Sequence, residues 1–168
     1  MSGPGFHILL NREDSKKLFG IREPENIRDF CRQLSQSQDY RKRGRILELG
    51  ISWDTLHRCL TDGSLDPNAG EPPINQCFLG GRSLYDGADA VVSLVRPDMA
   101  PYVVEALEEI KFEDLRKKYF ALDAAAYGRP LQEKDLEKAW VVFQQVREFY
   151  DLAAEDFSAV LFVADRAG

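Results

Sequence analysis

The sequence predicts an α/β protein, with α+β as the near alternative: a helix-rich chain packed on a small mixed β-sheet whose C-terminal strand is central. Three observations carry this expectation. Between Glu133 and Ala154, the residues Leu136, Trp140, Phe143, Val146, Tyr150 and Ala153 recur at the three-and-four spacing of a buried helical stripe. The run Ala159-Val160-Leu161-Phe162-Val163 is continuously apolar, as a strand covered on both faces requires. Phe6 to Leu10 is a second short apolar run, at the other end of the chain.

The remaining elements follow in order. Asn11 to Gly20 reads as a turn and short helix that Gly20 ends. Pro24, at a good first helical position, opens a helix to about Leu34, with Ile27, Phe30, Cys31 and Leu34 on one face. After a polar break at Ser35 to Gln38, a further short helix is expected from Tyr40 to Leu47. Asp62 to Gly87 is the longest irregular stretch, because Asp66-Pro67-Asn68 and Gly70-Glu71-Pro72-Pro73 block both helix and strand. Within it Gln76 to Leu79 reads as a short strand, and Ala90 to Leu94 as another. Asp98 is placed to cap a helix reaching Ile110, continued after a bend by Lys111 to Tyr119. Acids at Glu133 and Asp135 suit the positive end of the long helix.

Bulk properties fit one domain over residues 1–168. A globule of this length buries roughly 70% of its unfolded surface, so it needs no covalent staples. Hydrophobic residues make up 44% of the chain, which argues against disorder over most of its length. The formal net charge of −6 disfavours nonspecific binding to nucleic acid or to anionic membrane. No run of about 18 apolar residues would span a bilayer, and the N-terminal apolar run is too short for a signal-peptide core, so the cytoplasm is the expected compartment. Cys31, Cys59 and Cys77 show none of the two-residue spacings of zinc or redox motifs and read as buried thiols.

The segment Ser52-Trp53-Asp54-Thr55-Leu56-His57-Arg58-Cys59-Leu60-Thr61-Asp62-Gly63 carries the most information. At 100° per residue, Trp53, Leu56, His57 and Leu60 share one apolar stripe, so His57 points toward the core. Ser52 stands at an N-cap position, Asp54 in the first turn, and Gly63 just past the end. Asp54, three residues before His57, is placed to hold the imidazole in one tautomer.

Taken in order, these elements resemble the YfbM-like family, a group of small bacterial proteins known as a domain of unknown function. The resemblance rests on Gly5-Phe6-His7-Ile8-Leu9-Leu10 followed by Asp14-Ser15-Lys16-Lys17-Leu18, on the Trp53 to Gly63 helix, and on Leu79-Gly80-Gly81. Val103 and Leu107, Tyr127, the long late helix and the Ala159 to Val163 strand complete it, so it covers nearly the whole chain. The family's Asp-x-x-Lys-x-Trp lead-in is replaced by Leu49-Gly50-Ile51-Ser52-Trp53, so any role of that lysine is absent here. The resemblance implies helices on a mixed sheet and brings no established activity.

Two readings of the site residues stand side by side. In the first, His57 is a core histidine bonded to neighbouring backbone or a carboxylate. In the second, it is an acid–base group oriented by Asp54, near Asp62, Asp66 or Arg82. Leu79-Gly80-Gly81-Arg82-Ser83 reads first as a tight turn and second as an anion cradle with Arg82 as its fork. Arg41-Lys42-Arg43-Gly44-Arg45 reads as a solvated, ion-paired helix face. Tyr127 anchors a loop or lines a pocket beside His57, with Trp53 and Asp62 as further candidate binding residues. Two histidines fifty residues apart offer no metal framework, and no cofactor is expected.

The function expected is therefore a binding or interaction module, a monomer or weak dimer, presenting the Asp62 to Gly87 loop and nearby helix surfaces to a protein partner. The alternative is a small enzyme acting on a phosphorylated or nucleotide-like molecule, with His57 as its acid–base group.

Overall fold

A computed structural model describes residues 2–166. Its centre is a five-stranded sheet of order β2-β1-β5-β4-β3, formed by β1 (Ser2–Leu9), β2 (Ile46–Gly50), β3 (Arg82–Asp86), β4 (Ala90–Val95) and β5 (Val160–Arg166). Every pairing is antiparallel, so the expected mixed sheet is corrected to an antiparallel one and the class is α+β. The C-terminal strand β5 lies in mid-sheet, between β1 and β4.

Helices cover both faces, which is why β5 reads as an unbroken apolar run. On one face, Ile8, Leu161, Val163, Val92 and Leu94 pack under α1 (Arg12–Gly20), α2 (Pro24–Ser35) and α3 (Gln38–Lys42) through Leu18, Cys31, Leu34 and Tyr40. On the other, Leu9, Val91, Val160, Phe162 and Ala164 meet α4 (Ser52–Leu60), α5 (Ala100–Glu108), α6 (Phe112–Phe120), α7 (Ala124–Tyr127) and α8 (Glu133–Asp156). Successive residues of each strand point to opposite faces, so alternation sorts one sequence into two cores.

Several local expectations are revised. Ile46 to Gly50 is an edge strand on β1, not the end of a helix, and α3 stops at Lys42. Gln76 to Leu79 is not a strand: a 3₁₀ turn spans Ile74–Cys77 and the chain then bends. The residue capping α4 is Ile51, with Ser52 already helical, and α5 starts at Ala100 without help from Asp98, which pairs with Arg96 at 2.7 Å. Every residue of α4 is buried, its charged ones included, because α6, α8, β2 and the 3₁₀ turn enclose it. Trp53 donates its indole N–H to Gly3 O at 2.9 Å and lies so close to Gly5 that a Cβ there would meet the ring at 2.6 Å.

Candidate functional site

Both histidines are buried and hydrogen-bond to backbone carbonyls of the segment between α4 and β3. His57 is 1% exposed, and its Nε2 donates to Asp66 O at 3.2 Å. His7, fully buried in β1, donates Nε2–H to Cys77 O at 2.7 Å and stacks with both Phe78 and Phe149, while Tyr150 and Phe162 make edge contacts with it. A carbonyl only accepts, so each ring carries its proton on Nε2. Burial lowers both pKa values, that of His7 to about 4. Ser93 Oγ donates to Phe78 O at 2.5 Å and Asn75 Nδ2 to Ala69 O at 3.2 Å, so the loop is pinned along its length.

Asp54 does not orient His57. Its Oδ1 accepts from Arg58 Nε at 2.6 Å and its Oδ2 from Ser2 Oγ at 2.5 Å. Arg58, one helical turn on, offers a full charge and a fixed donor geometry, so it takes the carboxylate. Asp62 is used locally, accepting from Ser64 N and Ser64 Oγ at the loop's start. Trp53 lies inside the core against Phe162. Tyr127 is the centre of a polar knot: its hydroxyl meets Thr55 Oγ1, Asp135 Oδ2 and Arg129 Nη2, and the Arg58 and Arg129 guanidinium groups lie over its ring. Burial, then the hydrogen bond to Asp135, pushes its phenol pKa up, so it stays a neutral donor. This knot ties α4, α7 and α8 together.

The three cysteines are equally withdrawn, and burial pushes the Cys31 and Cys59 thiols up to about 12. Among the described residues there is no group of three or more histidine, cysteine or acidic side chains able to hold a metal.

Strand register, in contrast, builds a charged end. Leu9 pairs with Val160, Val160 with Val95, Arg82 with Leu94, and Ile8 with Ile46, so β1 and β4 finish where β2, β3 and β5 begin. Arg12, Arg45, Arg82 and Arg96 therefore come to one end of the sheet, one beside each of β1 to β4. Phe157 and Ser158 precede β5 there. A cleft of about 630 Å³ opens at this end, with Arg12, Lys16, Arg45 and Arg96 against a single lining carboxylate, Asp156. Arg45 and Asp156 also line a separate cleft of about 320 Å³ that includes Arg43 and Glu155, and Leu94 and Arg96 also line one of about 420 Å³ that holds Arg82. The predicted anion contact thus stands at this end, while His57 is sealed in α4.

The opposite end is balanced. Arg32 meets Asp89 and Asp165 at 3.5 and 3.1 Å, Arg28 meets Asp89 at 3.1 Å, and Arg166 meets Asp86 at 2.7 Å. At the basic end, Arg45 reaches Asp156 at 3.0 Å and Arg96 reaches Asp98, but Arg12, Lys16 and Arg82 have no carboxylate within 4.0 Å among the described residues. The sequence shows each of these cations separately. Their convergence is a product of register.

A family model described as Domain of unknown function (DUF1877) matches residues 1–163. The chain belongs to this family. Among solved structures, it is similar to the protein of unknown function YfbM from Escherichia coli, at 18% identity and a TM-score of 0.66, with 98% of this chain and 99% of that chain covered. At that identity the likeness concerns the fold. No curated protein matches this chain. Family membership brings no established activity to the basic end. No helix of the described residues is long and apolar enough to cross a membrane.

Proposed function

We propose that this chain is a cytoplasmic binding module that takes a small anionic molecule at the basic end of its sheet. One observation carries the reading: four cations line one cleft against one carboxylate, in a chain of formal net charge −6, and two of the four, Arg12 and Lys16, have no ion-pair partner among the described residues. Arg12 and Lys16 stand beside Arg45 and Arg96, whose charges Asp156 and Asp98 partly offset, and a bound anion would relieve the repulsion that remains. The cleft volume lies inside the roughly 300–1,000 Å³ span of small-molecule sites. The sealed histidines and high-pKa thiols favour binding over chemistry, since neither offers a reactive group at neutral pH. The pinned loop after α4 acts as a wall of the body in this reading, and the partner is a small molecule.

Calorimetric titration with pyrophosphate tests the proposal. Binding is expected at low ionic strength and weakens as salt rises, because exposed charges are screened over about 10 Å at 0.1 M. Arg12 and Lys16 are exposed, so the double variant Arg12→Glu, Lys16→Glu keeps the core intact and is expected to lose at least tenfold in affinity. Equal binding by that variant, or no pyrophosphate binding by the native chain, contradicts the proposal.

A further inference from the structure

We infer that the anion taken at the basic end carries a flat apolar ring, as aryl phosphates and nucleoside phosphates do, and that Phe157 is the platform for that ring. The inference rests on the anion-binding reading above and adds the second half of the ligand.

Phe157 ends α8 with φ of +50°, the one non-glycine residue with positive φ among the described residues. That position commonly belongs to glycine, because a Cβ in the left-handed region crowds the following carbonyl. A phenylalanine there is at odds with the backbone, and packing does not compensate it, since Phe157 is 65% exposed. Neither helix termination nor the core accounts for the side chain. Strain held at one exposed residue in a cleft is the pattern of a site selected for contact with something else.

The surroundings say what that contact is. Phe157 lines the cleft that Arg12, Lys16, Arg45 and Arg96 line, and so does Phe19, at the end of α1 and 59% exposed. Two solvent-facing aromatic rings beside several cations supply the two things a ring-bearing phosphate requires: a face to stack on and charge for its oxygens. A purely inorganic anion would use the cations and leave both rings in water.

Titrations of inorganic phosphate, phenyl phosphate and adenosine monophosphate into the native chain and into Phe157→Gly test the inference. In the native chain, at least one ring-bearing phosphate is expected to bind tenfold or more tightly than inorganic phosphate. Phe157→Gly is expected to raise the thermal midpoint, since glycine relaxes the left-handed turn, while abolishing that tenfold advantage and leaving inorganic phosphate binding unchanged. Phosphate binding with no preference for either ring-bearing probe overturns the ring contact alone. Failure of all three anions to bind removes the underlying anion site as well. Concentration-dependent self-association of the native chain that Phe157→Gly abolishes gives the exposed rings to a second copy and also overturns the inference.

Discussion

Acidification from pH 7 to pH 4 is expected to remove roughly 3 kcal/mol of folding stability through His7 alone. The sign follows from where the proton is held. In the unfolded chain the imidazole has its ordinary value of 6.5, and in the folded protein burial lowers it to about 4. Between those values the unfolded chain binds a proton that the folded chain does not. The contribution of His7 is therefore complete above pH 6.5, falls as the pH drops below it, and is gone near pH 4. His57 shifts in the same direction and steepens the loss. The carboxylates with lowered pKa, Asp62, Asp89 and Asp156, start from 3.8 in the unfolded chain, so their losses begin only at the acid edge of this window and fall mostly below it. Denaturant midpoints from pH 7.5 to 4 measure the effect. His7→Gln keeps an N–H for Cys77 O but cannot titrate, so its profile is expected to be flatter by about the same 3 kcal/mol. Parallel profiles for the two proteins contradict this shift at His7.

The second large effect is at the base of α4. Replacing Arg58 with alanine leaves the nearly buried Asp54 carboxylate with Ser2 as its only remaining side-chain partner among the described residues and removes the guanidinium from the face of Tyr127. Breaking a buried pair from one side costs about 3–5 kcal/mol, because the remaining charge stays desolvated. Replacing both members with apolar residues of similar size, Asp54→Leu with Arg58→Met, is expected to recover most of that loss. Equilibrium unfolding of the single and double variants measures it. A loss below about 1 kcal/mol for Arg58→Ala would mean that water reaches Asp54 and that the pair behaves as a surface salt bridge.

These effects show why some of the molecule is legible in its sequence and some is not. The long helix, the central last strand and the first strand are readable because each is a strong local pattern whose burial agrees with its period. β2 is not: Ile46 to Gly50 follows a basic, helix-compatible stretch, and only pairing with β1 decides its conformation. Cys77, Phe78 and Leu79 are apolar for a different reason than a strand's. Their segment is held by His7, Tyr150 and Ser93 donating to carbonyls of Cys77 and Phe78, contacts made across 70, 73 and 15 residues. His57 facing the core is legible from helical spacing, but its partner is not, since Asp54 has two suitors on the same helix and the stronger one wins. The basic end is the least legible part. Arg45 reads as one of a solvated cluster and Arg82 as part of a turn, and nothing local links them to Arg12 or Arg96. Sheet register alone sets them side by side.

α4 is buried along its whole length, the proposed anion-binding end is built by the strand termini, and amide chemical-shift mapping during a phenyl phosphate titration distinguishes the two directly. The expected perturbations gather at residues 10–16, 45, 94–97 and 157–159, with α4 silent. Shifts centred instead on residues 54–66 and 127–129 would return the site to His57, Asp54 and Tyr127 and contradict the account.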